Sequence, residues 1–219
     1  MINYKVNDQK LLLNCTPVYE NIIDRSSEST EGLKNFILDN YSKLKSKYGS
    51  MVKLRNHPQG FGGIKKGLSS YTEKNLFEYD NPYIKELEDV IYAEVQKYYD
   101  WLTELSHGSM SFDIGIEAFY QVMEKGDHHM MHNHSALTNT TFISGCFYVD
   151  GGDAGKEFGG VFRPILNPYI IQEGDENAVD ITPTENKIIM LPSNVYHEVS
   201  PYFGEKKRIV IAFNVYKER

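Results

Sequence analysis

The chain has 219 residues, of which 41% are hydrophobic and 13% aromatic, and this composition is sufficient for one packed domain over residues 1–219. The formal net charge is −7 without a long Lys/Arg cluster, so we expect no nucleic-acid partner. No apolar run reaches membrane-spanning length, and the first residues lack a signal-peptide pattern, so we expect no membrane association. Cys15 and Cys146 lack the spacing of a paired motif, which favours a reduced, cytoplasmic location.

The first half of the chain predicts two helices. Residues 29–31 (Ser-Thr-Glu) are typical of a helix start, and apolar residues follow at helical spacing to about residue 48. Residues 80–82 (Asp-Asn-Pro) start a second helix, whose apolar stripe continues to about Leu105. The segment 57–70 between them is rich in glycine and has neither helical periodicity nor the spacing of a phosphate-binding motif, which indicates a loop.

From about residue 111 the pattern changes to short apolar segments between turns rich in Gly, Pro, Asn and Asp. The segments that predict strands are 112–123, 142–150, 159–165, 169–172, 187–191, 195–200 and 208–216. Helices followed by about seven strands predict a mainly β fold, a double-stranded β-helix of the jelly-roll or cupin-like kind, backed by two N-terminal helices. Residues 1–110 are expected to form the helical support and residues 111–219 the β core.

A candidate metal site combines the histidine-rich segment HHMMHNH at 128–134 with His197. His132 and His134 are two residues apart, so on a strand they point to the same side. Three neutral imidazoles suit iron, zinc, copper or nickel, so the pattern indicates a metal site without choosing the metal. The alternative is a polar, histidine-rich loop, with His197 as an ordinary strand residue.

Other polar residues near this segment are interpreted more conservatively. His128 and His129 are open to roles as alternative ligands, orienting donors or substrate contacts, and we favour loop histidines near the mouth of the site. Asp127, Asp150 and Glu198 are the nearby carboxylates, and none has convincing ligand spacing.

Arg208 is the candidate for binding a carboxylate. Strand alternation places it on the same side as Val210 and Ala212, so the space above its side chain is available to a ligand. A planar guanidinium binds a carboxylate through two parallel hydrogen bonds, which a lysine does not reproduce. The alternative is an edge-strand arginine that pairs with a surface acid.

Three segments taken together resemble the iron(II)- and 2-oxoglutarate-dependent oxygenases: HNHSALTNTTFISGCFYVD, GGVFRPI and NKIIMLPSNVYHEVSPYFGEKKRIVIAFNV. The resemblance covers about residues 115–216. It is to a group seen in marine bacteria and their phages, which is similar to the prolyl-hydroxylase branch. The residues that fill the motif positions of this group are Ser144, Gly145, Phe147, Tyr148, Leu191, Pro192, Ser193, His197, Arg208, Phe213 and Asn214.

The resemblance implies a set of site residues. Iron(II) would be bound by His132, His134 and His197. Arg208 would bind the distal carboxylate of 2-oxoglutarate, and Tyr120 and Tyr148 are candidate co-substrate contacts. Most members of the superfamily have an acid at the position of His134, so this site departs from the usual two histidines and one carboxylate.

The expected function is that of a dioxygenase that consumes 2-oxoglutarate and O2 and hydroxylates a peptidyl residue such as proline, or a free amino acid. The segments 58–70 and 151–158 are expected to form the rim that selects the substrate. Two alternatives are a non-catalytic metal-binding jelly-roll protein and a cupin-like dioxygenase with three histidines and no 2-oxoglutarate. The oligomeric state is open, with a homodimer as one option.

Overall fold

The computed structural model describes residues 16–48, 64, 66–71, 73–106, 113–135, 140–165 and 179–218. These residues include two α-helices, α1 (Ser27–Tyr48) and α2 (Pro82–Ser106), and a short 3-10 helix at Leu76–Glu78. They also include the strands β1 (Tyr19–Ile22), β2 (Leu68–Ser69), β3 (Ile114–Met123), β4 (His129–His132), β5 (Thr141–Asp150), β6 (Phe162–Pro164), β7 (Lys187–Pro192), β8 (His197–Val199) and β9 (Arg208–Lys217). The predicted strand at 169–172 and most of the loop at 57–70 lie outside the described residues.

Both helices begin at capping residues. The Ser26 hydroxyl accepts a hydrogen bond from the Ser29 N–H at 3.0 Å, so α1 starts slightly before the predicted position. The Asn81 side chain accepts from the N–H of Tyr83 at 3.0 Å. Pro82 follows in the first turn, where backbone N–H groups have no partner within the helix, so the lack of an N–H in proline costs nothing there. The predicted start of α2 is confirmed.

The strands form two antiparallel sheets. The major sheet has the order β1-β7-β5-β9-β3-β2, and the minor sheet has the order β4-β8-β6. From β3 to β9, successive strands alternate between the major and the minor sheet, so the chain crosses repeatedly between the two layers. This crossing is the topology that the predicted double-stranded β-helix requires.

The major sheet separates two apolar layers. The helix-side core lies between α1, α2 and one face of the sheet, where Ile211 and Phe213 of β9 are fully buried. The inter-sheet core lies on the opposite face, where Val210 and Tyr148 pack in one cluster with Phe162 of the minor sheet. The predicted alternation along β9 and the packing of both helices on one sheet face are thus confirmed.

Among the described helices, none combines the length and apolar character needed to cross a membrane. The major sheet, the helices and the minor sheet share the two cores described above. The assignment of residues 1–219 to one domain stays a prediction.

Candidate metal centre

Three histidines from two strands and one bend come together at one end of the minor sheet. His132 ends β4 and His197 begins β8, and the two are direct partners in the antiparallel register. His134 lies beyond the end of β4, and its backbone N–H donates to the Ser193 carbonyl at 2.8 Å. One ligand atom from each histidine lies within 4.8 Å of the others, so a single ion can contact all three.

The position of His134 differs in detail from the sequence prediction. A shared strand face was expected to bring it beside His132, but β4 ends at His132. The rings are nevertheless stacked, with centroids 5.3 Å apart, because the backbone bond to Ser193 holds the bend against the sheet. The predicted histidine cluster therefore forms by a different local route.

His132 and His197 are oriented by their own backbones. The Nδ1 atom of His132 lies 2.7 Å from the carbonyl oxygen of Met130, and Nδ1 of His197 lies 3.0 Å from that of Val195. A carbonyl oxygen can only accept, so each Nδ1 carries the proton and donates. Each Nε2 therefore keeps its lone pair, which is the state that a metal ligand requires.

His134 is oriented by a side chain from another strand. Its Nδ1 lies 2.5 Å from Oδ1 of Asn214, which is on β9 and is 2% exposed. The amide oxygen accepts, so the proton again lies on Nδ1 and the lone pair on Nε2. All three histidines thus present the same nitrogen as the potential ligand.

Burial favours the neutral form of each ring. It lowers the pKa of His134 to about 4 and the pKa of His197 well below 6.5. The pKa of His132 is also lowered, again because of burial. Neutral imidazoles at neutral pH are able to bind a cation.

His129 is the residue whose predicted placement is wrong. It was assigned to a loop near the mouth, but it begins β4 and is only 6% exposed. Its ring centroid is 5.9 Å from that of His132. Burial first, and then the charges of His132 and Arg208, lower the pKa of His129 well below 6.5. His128, by contrast, is half-buried in the irregular segment just before β4.

The three nearby carboxylates have other partners. Asp127 is fully buried and accepts hydrogen bonds from three backbone N–H groups. Asp150 pairs with Lys34 at 2.8 Å, and Glu198 lies 3.5 Å from Arg163. Among the residues described by the structure, none of these acids joins the histidine cluster.

Arg208 is a buried cation on the inter-sheet face. It is 1% exposed; its Nη1 donates to Sδ of Met123 at 3.0 Å and its Nη2 to the Tyr148 hydroxyl at 3.4 Å. Within the described part of the chain, its Nε has no hydrogen-bond partner and no carboxylate forms an ion pair with its guanidinium. The alternative of a surface ion pair is therefore wrong, and an anion is the partner that would offset the cost of burial.

The two candidate tyrosines lie on opposite faces of the major sheet. Tyr148 shares the inter-sheet face with Arg208, and its ring centroid is 5.0 Å from the guanidinium carbon. Tyr120 pairs with Ile211 and lies in the helix-side core. The structure therefore does not bring Tyr120 to Arg208, because its position in the alternation of β3 directs it towards the helices.

Sequence reasoning missed Met123, and it named Asn214 only as a motif position, without a role. Met123 contacts Arg208 from β3 and carries no chemical signal in the sequence. The role of Asn214 could have been found, because it is six residues after Arg208 on the same strand, and strand alternation places both on one face.

Comparisons with known proteins bear on the family and on the fold. Residues 117–214 match the model of a family described as "Putative 2OG-Fe(II) oxygenase". A Pseudomonas putida prolyl-4-hydroxylase is similar in structure, with a TM-score of 0.61 and 10% sequence identity over 92% of each chain. A Trichoplax adhaerens prolyl hydroxylase, in complex with a peptide fragment of the hypoxia inducible factor oxygen degradation domain, has a TM-score of 0.56 and 15% identity over 94% of this chain and 84% of that one. No curated protein sequence matches the chain.

The fold and the site together define a jelly-roll protein with a three-histidine cluster, and the structural likenesses confirm the predicted fold. The matched segment 117–214 resembles the 2-oxoglutarate- and iron(II)-dependent oxygenases, and it contains the three histidines and Arg208. The match supports an oxygenase. The matched family is named for Fe(II) and 2-oxoglutarate, and the histidine cluster is able to hold the metal. This favours the oxygenase over the alternatives of a non-catalytic protein and of a dioxygenase without 2-oxoglutarate. An origin in marine bacteria or phages stays a prediction.

Proposed function

We propose that the protein is a hydroxylase in which His132, His134 and His197 bind Fe(II) and Arg208 binds 2-oxoglutarate. The observation that carries this proposal is the buried Arg208 guanidinium, which has no carboxylate partner among the described residues. It shares one face of β9 with Asn214, the hydrogen-bond partner of His134. When bound, iron and the co-substrate supply the oxidation: O2 and 2-oxoglutarate are converted to succinate and CO2 while one oxygen atom enters a substrate C–H bond.

The histidine cluster fits a divalent first-row metal. Three Nε2 lone pairs are available, because every Nδ1 donates to an oxygen acceptor. The rings are neutral and largely enclosed, which removes competition from protons and limits competition from water. Three neutral ligands leave one more positive charge at the metal than two histidines and a carboxylate, and this difference raises the attraction for anions at the site.

Arg208 and Tyr148 fit the distal carboxylate of the co-substrate. The guanidinium offers a planar pair of donors, and the Tyr148 hydroxyl lies beside it on the same face of the sheet. His129 is buried beside His132, with ring centroids 5.9 Å apart, and so adds a neutral ring next to the metal ligands. These residues orient the co-substrate and exclude water from its charged end.

The proposed substrate is a peptidyl residue such as proline, with a free amino acid as the second choice. The similar Trichoplax enzyme is in complex with a peptide, which supports the first choice. Exposed side chains next to the metal ligands, Met130, Met131 and Tyr196, offer apolar contacts to an incoming chain. The rim at 151–158 is expected to add selectivity, and a cytoplasmic location and a homodimer stay predictions.

The test is the formation of the visible charge-transfer band of an Fe(II)–2-oxoglutarate chelate in oxygen-free protein. The wild type is expected to form the band on addition of both components. His197→Ala is expected to lose metal and band together, whereas Arg208→Ala is expected to keep metal but to require far more 2-oxoglutarate. Arg163→Ala is the matched control, because this arginine already pairs with Asp180 and Glu198.

The absence of the band in metal-loaded wild type would contradict the proposed co-substrate site. An Arg208→Ala variant with unchanged dependence on 2-oxoglutarate would contradict the role of Arg208. The substrate class is then tested by measuring the conversion of 2-oxoglutarate to succinate without a substrate and with proline-containing peptides or free amino acids. A true substrate should accelerate this conversion and gain one hydroxyl group per succinate formed.

A further inference from the structure

The hydrogen-bond acceptor that orients the His134 ring is of a different kind from those that orient the other two histidines. His132 and His197 each donate from Nδ1 to a backbone carbonyl two residues earlier in the same segment. His134 donates to a side chain eighty positions away, the Oδ1 atom of Asn214 on β9. Two ligands are therefore fixed by local backbone geometry, and the third depends on one residue of another strand.

The contact between His134 and Asn214 lies in a dry environment. The two residues are 8% and 2% exposed, and the Nδ1–Oδ1 distance is 2.5 Å. Asn214 is on the inter-sheet face of β9, opposite Ser144 of β5 and Glu117 of β3 in the strand register. A hydrogen bond in such surroundings is stronger than one in water, and leaving either partner unsatisfied is costly.

The chemistry of the acceptor determines what the imidazole can do. An amide oxygen accepts the Nδ1 proton and cannot take it, so the ring stays neutral and its Nε2 lone pair faces the cluster. An apolar residue at this position would allow the other tautomer and a rotated ring. A carboxylate would hold the same tautomer but would push negative charge towards the metal.

We propose that Asn214 is a positioning residue that makes a neutral imidazole usable as the third metal ligand at His134. The inference rests on the proposed function, because it requires His134 to bind the metal. Asn214 acts through His134 and does not itself touch the metal. The same strand face carries Arg208, so β9 supplies both the co-substrate anchor and the orienting group for one ligand.

The test compares metal affinity and histidine tautomers in the full chain. Co(II) is the probe, with affinity measured by competition against a chelator and geometry followed by the visible absorption of the bound ion. The variants are Asn214→Leu, which removes the acceptor at similar size, Asn214→Asp, which keeps it, and His134→Ala. Ser144→Ala is the matched control, since Ser144 is buried on the same face and opposite Asn214.

Asn214→Leu is expected to weaken Co(II) binding by about 10- to 100-fold, the usual effect of removing the partner of a metal-bound histidine. Asn214→Asp is expected to restore affinity and to shift the absorption of bound Co(II), which a purely structural role would not do. Ser144→Ala is expected to leave both unchanged. In the metal-free wild type, 15N–1H correlation spectra are expected to show the His134 proton on Nδ1.

A wild-type His134 protonated at Nε2 would overturn the proposal without any variant, and so would a folded Asn214→Leu protein with wild-type Co(II) affinity. Either result would leave the iron site itself intact. Equal Co(II) affinity in the wild type and His134→Ala would instead remove His134 from the ligand set. The failure of this inference is thus distinguishable from the failure of the proposed function.

Discussion

The two faces of the major sheet are built by the same strands but have different compositions. Towards the helices, β9 presents Ile211 and Phe213, both fully buried among apolar neighbours. Towards the minor sheet it presents Arg208 and Asn214, buried to the same degree but polar. Because successive side chains on a strand point to opposite faces, one ten-residue segment serves both purposes.

Because of this difference, one face of the sheet mainly stabilises the fold and the other mainly carries the ligand-binding residues. Burial of apolar side chains is favourable, whereas burial of an arginine or an amide costs free energy unless each polar atom has a partner. The helix-side core therefore supplies stabilisation that offsets the buried polar residues of the inter-sheet face, Arg208 and Asn214. Substitutions on the helix side should change folding, and those on the other side should change ligand binding.

The largest expected effect is on the helix side, for Phe213→Ala. The Phe213 ring lies against Gly145, where an added Cβ would be only 2.2 Å from it, so no neighbour can fill the space without rearrangement. We expect the free energy of unfolding to fall by about 3–5 kcal/mol. Denaturant titration measures this, and Phe203→Ala, at an exposed position, is the control. A loss of metal affinity in the folded variant would break the separation of the two faces.

Arg208→Leu is expected to weaken ligand binding without lowering stability, the opposite of Phe213→Ala. Removing the guanidinium should weaken 2-oxoglutarate binding by roughly 100-fold, equivalent to about 3 kcal/mol for lost hydrogen bonds to a charged group. The unfolding free energy without ligand should stay the same or rise, because a buried cation is replaced by an apolar side chain. Calorimetric titration of metal-loaded, oxygen-free protein tests the first effect. Arg163→Leu is the control, and a large drop in stability for Arg208→Leu would contradict the assignment.

A Tyr→Phe substitution on each face of the major sheet tests the same division with a smaller change. Tyr148→Phe keeps the ring beside Arg208 but removes the hydroxyl, so we expect the Kd for 2-oxoglutarate to rise by about 2- to 10-fold. Tyr98→Phe, on the helix side, removes a hydrogen bond of 2.8 Å to the Pro17 carbonyl. It should lower the unfolding free energy by about 1 kcal/mol and leave the Kd unchanged. Equal effects of both variants on the Kd for 2-oxoglutarate would refute the division of roles between the two faces.

The smallest expected effect is the pH dependence contributed by Glu94 of the helical layer. Burial raises the pKa of Glu94, but hydrogen bonds from Lys97, Tyr19 and Asn21 outweigh burial and hold the pKa below the usual 4.5. A lowered folded-state pKa contributes stability above pH 4.5, and this contribution is lost as the pH falls through the folded pKa.

Thermal unfolding between neutral and acidic pH measures this contribution. Glu94→Gln should flatten the dependence by about 1 kcal/mol, while Glu104→Gln, at an exposed position, should not change it. An unchanged slope in Glu94→Gln would show that other acids dominate the acid unfolding.

The sequence predicted the features that depend on residue type and local period. The alternation along β9 placed Arg208 and Ile211 on opposite faces, and the structure agrees. Tyr120 lies in the helix-side core, because the alternation of β3 directs it there, and its role as a co-substrate contact stays a prediction. His129 failed because β4 is short and irregular, and its pairing with β8 decides its burial.

The direct pairing of His132 with His197 has a consequence for the lifetime of the protein. The minor sheet contains strands of four, three and three residues, which are too short to form a stable ladder on their own. A metal bound by both histidines would link β4 to β8 across the sheet and stabilise the closed ladder by mass action. Without metal, this corner would depend on its short ladder alone, so proteolysis there should be faster in the metal-free than in the metal-loaded protein.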